Sequence, residues 1–158
     1  MTEVAGSPVT DLNNNRLHLF KLVSPPAGAQ TVVVTLSVAH RFLAASMTCL
    51  GSVGFGTPST LAVASTHPTI VIAATSNDLV MDCLSVGNTG ATSDKTSRYD
   101  VQYGETGVEM RARGSTAVGA ASVTMGYVLV ANSELSMIAM AVLGGTPNEV
   151  QMIVNEGG

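Results

Sequence analysis

The sequence predicts an all-β chain, about eight antiparallel strands in a sandwich, from three observations. Apolar and polar residues alternate with a period of two in most apolar runs, and no stretch carries the period of an amphipathic helix. The runs are short, and segments rich in Gly, Ser, Thr, Asn or Asp separate them. Charge is sparse: Asp, Glu, Lys and Arg make up 11% of the 158 residues, against roughly 25% in an ordinary globular domain.

The first strand signal places Leu17, Leu19 and Lys21 on one face and His18, Phe20 and Leu22 on the other. Ser24-Pro25-Pro26-Ala27-Gly28 then reads as a turn, because proline cannot donate to a ladder and glycine permits positive φ. The clearest alternation follows, with Val32, Val34, Leu36 and Val38 opposite Thr31, Val33, Thr35 and Ser37. Further strands are predicted at Phe42–Leu50, Thr69–Ala73, Leu79–Val86, Val108–Arg113, Ser122–Val130 and Met137–Leu143. Gly51–Pro68 and Gly87–Glu105 are too long for hairpin loops and read as crossovers between sheets. Gln151–Val154 is a short extra strand or part of an arm. A hairpin opened by Gly28-Ala29 and another opened by Gly119-Ala120 form a faint internal echo, compatible with a doubled Greek key. The domain reading is a polar N-terminal arm over 1–15, a sandwich over 16–144 and a tail over 145–158.

The bulk composition narrows the function. A net charge of −4 and a pI near 5.1 argue against direct nucleic-acid binding, which needs a basic patch. Aromatics are 4% and tryptophan is absent, which disfavours pockets that stack sugars or bases. Met1–Asn15 lacks the basic-then-apolar layout of an export signal, so synthesis in the cytoplasm is expected. Met137–Leu143 is too short to span a membrane as a helix. Lys21 and Lys95 are the only lysines, although lysine is the usual guard of sheet edges. Met137–Leu143 is apolar on both faces, and such a strand lies either at a covered sandwich centre or at a subunit interface.

A search for chemistry yields no catalytic, metal or cofactor site. His18, His40 and His67 are dispersed, whereas zinc needs three or four converging donors. Asp78 and Asp82 share a face four residues apart, and Asp94 and Asp100 follow in a polar loop, but calcium spacing is missing. Solvated carboxylates are the expected reading. Glu105 and Glu109 would be the best acid–base pair of a small hydrolase, yet Arg111 offers Glu109 an ordinary ion partner. Gly51-Ser52-Val53-Gly54-Phe55-Gly56 has neither the order nor the following helix of a phosphate loop. Cys49 and Cys83 lie in apolar runs, and free thiols are favoured over a disulfide across the core.

Three segments carry a family resemblance: Leu17-His18-Leu19-Phe20-Lys21-Leu22-Val23-Ser24-Pro25-Pro26-Ala27-Gly28-Ala29 with Thr31-Val32-Val33-Val34-Thr35; Ser76-Asn77-Asp78-Leu79-Val80-Met81-Asp82; and Gly119-Ala120-Ala121-Ser122-Val123-Thr124-Met125. With them the chain resembles a jelly-roll β-sandwich module of phage and bacterial surface proteins. In size and character it is similar to the jelly-roll cement, or decoration, proteins of tailed-phage capsids. The tryptophan customary near the last strand is missing, and Ser136-Met137-Ile138-Ala139-Met140 stands there. The resemblance implies a homotrimer on the outer capsid surface that binds the major capsid protein and clamps neighbouring subunits against internal pressure. Such a protein acts through broad surfaces, with no enzyme activity. The residues expected at oligomer or capsid contacts are Thr2, Val4, Leu12, Asn14, Met137, Ile138, Met140, Met152 and Ile153. The alternative is a tail-fibre or carbohydrate-binding module, for which Phe55, Tyr99 and Tyr103 are the aromatic candidates.

Overall fold

Two apolar stretches, Leu79–Val86 and Ser133–Leu143, build the centre of the molecule. The computed structural model describes residues 1–29, 31–38, 40, 42–87, 90–104 and 110–144. Its strands, in chain order, are β1 (Thr2–Glu3), β2 (Val9–Thr10), β3 (Arg16–Leu17), β4 (Phe20–Lys21), β5 (Gly54–Phe55), β6 (Ser59–Ser65) and β7 (Thr69–Ile72). They continue with β8 (Leu79–Val86), β9 (Ala91–Thr92), β10 (Thr96–Tyr103), β11 (Met110–Val118), β12 (Val123–Gly126), β13 (Val128–Leu129) and β14 (Ser133–Leu143). All pairings among the described residues are antiparallel and the fold is all-β, of the sandwich class.

The principal sheet runs β10-β11-β8-β14, and β5 and β6 share the far side of β14. Register decides which residues share a face. Leu84 stands opposite Arg113 and Met137, while Cys83 stands opposite Gly114 and Ile138. The first face carries Val80, Leu84, Val86, Leu135, Met137, Ala139 and Ala141. It packs against Ile70 and Ile72 of β7, Val123 and Met125 of β12, and Ala91, Tyr127 and Leu129. The second face presents Leu79, Met81, Cys83, Met140 and Val142 to Val4, Leu17, Leu19, Met47, Cys49, Phe55 and Tyr99. β14 is therefore apolar on both sides because both sides are covered within one chain. Burying an aliphatic side chain of this kind is worth about 1.5–3 kcal/mol, so the two faces together supply the core.

Several sequence expectations change here. β8 has the predicted bounds, and β7 and β14 lie where strands were predicted. Gly51–Pro68 and Gly87–Glu105, expected to be crossovers, contain β6 and β10. Thr31–Val38, the clearest alternation in the chain, is not a strand here, and Phe42–Leu50 forms only a single bridge at Leu50. The positions beside β14 that a long strand needs are already taken by β6 and β8. The echo between two hairpins fails with Thr31–Val38. Residues 1–15, expected to be a separate arm, fold onto the second face: β1 pairs with β4, β2 with β3, and Val4 is 2% exposed. Of their apolar side chains Val4 and Val9 are buried, and Val4 docks the segment as part of the second core. Glu105, Glu109, Gln151–Val154 and the tail over 145–158 lie outside the described residues.

Candidate functional site

Sixteen large apolar side chains are exposed among the described residues, in a chain with few charges to offset them. Half of them fall between Phe20 and Val38: Phe20, Leu22, Val23, Val32, Val33, Val34, Leu36 and Val38. Val33 is 75% exposed and Val38 58%. Exposed apolar side chains concentrated in one segment, when they form a patch, mark an interaction site more often than a folding remnant. A second, smaller group lies on the outer side of the β7–β12 and β9–β13 layer, where Val71, Val128 and Val130 point outward among Thr69, Thr92 and Thr124.

The sheet edges differ in how they are guarded. Among the described residues β10 pairs with β11 alone, and it carries Arg98 and Asp100, with Lys95 just before it. Asp100 takes a bidentate pair from Arg111, at 2.6 Å from both Nε and Nη2, and a further 2.9 Å contact from Nη2 of Arg113. Those guanidinium groups, Arg111 first, hold the Asp100 carboxyl below its ordinary range. β6, Ser-Thr-Leu-Ala-Val-Ala-Ser, carries no charge and pairs among the described residues with β14 alone. An uncharged, unpaired edge is a template for another strand.

The expected contact residues divide three ways. Thr2, Leu12 and Asn14 are exposed and available, with Leu12 at 77%. Val4, Met137, Ile138 and Met140 are not: each is at most 2% exposed, sealed in the two cores. The apolar character of β14 reflects its central position, which corrects the expectation of an interface there. Met152 and Ile153 lie outside the described residues. The exposed Phe20–Val38 segment departs from the sequence expectation, because alternation of this kind predicts strands. The signal was present in Val32-Val33-Val34, apolar on both faces with no element assigned to cover it.

The polar clusters depart from expectation as well. Asp82, expected in solvent, is 1% exposed on the first face of β8. Its Oδ1 accepts the Ser115 N–H at 2.7 Å and the Tyr127 hydroxyl at 2.7 Å, and Ser115 Oγ lies 3.0 Å from both carboxylate oxygens. Burial dominates those hydrogen bonds and pushes the carboxyl up to about 6. The Tyr127 phenol is raised as well, by burial first and then by Asp82. Asp78 lies at the surface instead: it accepts from Thr75 N–H, Thr75 Oγ1 and the Gly144 N–H, and these donors, Gly144 first, lower its carboxyl. Its turn packs so tightly on Gly119 that a Cβ there would stand 2.0 Å from the Thr75 carbonyl oxygen. Near the N-terminus, Glu3 accepts from Ser7 Oγ at 2.9 Å and lies 2.8 Å from Nδ1 of His18. That is an acid between two donors, and His18 stacks on Phe20. Cys49 and Cys83 are free thiols in the second core. No group of His, Cys, Asp and Glu able to hold a metal ion occurs among the described residues.

The most developed features are thus the exposed apolar segment Phe20–Val38 and, separately, the uncharged edge of β6. Comparison with protein-family models, curated proteins and solved structures finds no match to this chain.

Proposed function

We propose that this chain is a structural subunit of a virion shell, a decoration protein that attaches as a homotrimer to the outer surface of a phage capsid. The observation that carries the reading is the Phe20–Val38 segment, whose apolar side chains face solvent in the isolated chain. Among the described residues nothing covers them, and a second copy or a capsid subunit is the cover this reading supplies. The resemblance of Leu17–Thr35, Ser76–Asp82 and Gly119–Met125 to the decoration-protein module supports the capsid setting. Attachment works through area: an obligate trimer interface hides more than about 2,000 Å² and is largely apolar. The exposed Thr2, Leu12 and Asn14, together with Val71, Val128 and Val130, remain as surfaces toward the major capsid protein. A carbohydrate-binding module fits less well, because Tyr99 and Phe55 pack into the second core.

The test has two steps. Sedimentation equilibrium of the purified chain is expected to give a trimer at micromolar concentration, and undecorated capsids are expected to bind it saturably and resist heat or low salt better with it. A monomer that leaves capsids unchanged overturns the reading.

A further inference from the structure

We infer that residues 31–38 leave their own chain and pair as a β-strand with the open edge of β6 in a second copy. Three observations converge on this pairing.

Thr31–Val38 has the sequence of a half-buried strand, yet it has no ladder partner among the described residues and stays exposed throughout. Among the described residues β6 has a partner on one side only, and it carries neither charge nor proline. The two match in pattern. On β6, Leu61 and Val63 belong to the first core, while Thr60, Ala62 and Ala64 point the other way. Beside it, Val32, Val34, Leu36 and Val38 would extend the Leu61–Val63 face, and Thr31, Val33, Thr35 and Ser37 the small-residue face. Length matches as well, since β6 has 7 residues. The other free edge, β10, is guarded by Arg98 and Asp100 and is a poorer acceptor for an uncharged strand.

A second copy is the occupant because each copy presents both halves of the contact, donor segment and acceptor edge, and neither half has a ladder partner there among the described residues. Each copy thus gives one strand and receives one. Such head-to-tail exchange closes into a ring when the rotation permits, and a trimer is one such ring. The inference rests on the self-association in the proposed function and not on the capsid.

The test uses two variants of the full chain. Val34→Pro removes a ladder donor from the exposed segment, and Ala62→Lys places a charge on the receiving edge. Neither position is buried, so far-ultraviolet circular dichroism and urea midpoints are expected to stay near those of the parent at monomer concentrations. Each variant alone is expected to sediment as a monomer, with association weakened at least 100-fold. Mixing them is expected to restore a heterodimer, because Val34→Pro retains an intact β6 and Ala62→Lys retains an intact donor segment. Amides of 31–38 are expected to be protected from hydrogen exchange in the parent and in the mixture only. Oligomers that survive Val34→Pro, or a mixture that stays monomeric, overturn strand exchange. Protection of 31–38 in a monomeric parent also overturns it, since the segment would then dock on its own chain. A trimer that exchanges strands but ignores capsids would leave this inference standing and remove the capsid reading.

Discussion

The ring of Tyr99 lies directly over the α-carbon of Gly114, its cross-strand partner, so closely that a Cβ on Gly114 would stand 2.2 Å from the ring. The Tyr99 hydroxyl reaches on to the Cys83 thiol, one strand further in. A glycine inside a strand ordinarily weakens it by roughly 0.5–1 kcal/mol relative to alanine. Here the missing side chain is the seat of an aromatic ring. Gly114→Ala is therefore expected to destabilise by about 1–3 kcal/mol through overpacking, against the sign of intrinsic propensity. Urea unfolding of Gly114→Ala, Tyr99→Ala and the double variant checks it: with the ring gone, the alanine is expected to be neutral or stabilising.

Asp82 makes stability depend on pH in the direction opposite to most carboxylates. Its folded value of about 6 exceeds the ordinary 3.8, so the folded chain binds the proton more tightly than the unfolded one. The stabilisation from holding that proton is complete below about pH 4 and is lost as the pH rises through 6, a change of ~3 kcal/mol by pH 7. Asp82→Asn keeps an acceptor for Ser115 and Tyr127 and cannot ionise. Its stability relative to the parent is expected to climb by that amount between pH 4 and 7, measured by urea unfolding across the range; parallel curves would count against the buried charge.

The surface carboxylate Asp78 behaves conversely. Three donors lower it, so its contribution is present above 3.8 and disappears as the pH falls through its lowered folded value. Asp78→Ala is expected to melt earlier than the parent at neutral pH, with the two melting temperatures converging in strong acid. Differential scanning calorimetry at both extremes decides.

Ile138 and Val33 separate folding from assembly. Ile138 is fully buried on the central strand, and Ile138→Ala is expected to cost about 2–5 kcal/mol of stability. Val33 is exposed, and Val33→Ser is expected to change the stability of the monomer by less than ~0.5 kcal/mol while weakening self-association. Chemical unfolding paired with sedimentation of each variant reads both quantities.

The thiols report on the second core. Burial pushes Cys83 up to about 11 and also raises Cys49, which is only half-buried. Thiolate is the reactive form, so Cys49 is expected to react first with a disulfide reagent and Cys83 only as the second face opens. Labelling followed by peptide mass mapping gives the order.

How much of this was legible in the sequence depends on what each residue reports. Leu79–Val86 announced itself fully, since a continuous apolar run between turn residues suits a strand buried on both faces. Ser59–Ser65 and Thr96–Tyr103 did not: small residues in one and charged residues in the other blur the alternation that edge strands need less. Thr31–Val38 shows the opposite limit. Alternation states that a strand has one face to bury, but it does not say which chain supplies the cover. Spacing alone predicts a solvated Asp82, yet its neighbours Met81, Cys83 and Leu84 are all core residues; one acid inside such a run is itself the sign of a buried, hydrogen-bonded carboxylate.

The position of β14 governs how the chain can be made. Its slot lies between β6 and β8, both of which leave the ribosome dozens of residues earlier. Until Leu143 has emerged, the nascent chain carries two finished flanks around an empty centre, with Leu61 and Leu84 lacking the Met137 wall. Folding of the principal sheet must therefore await the emergence of β14, long after β6 and β8 are made, and neighbouring nascent chains on one messenger can meet across the vacant slot before it is filled.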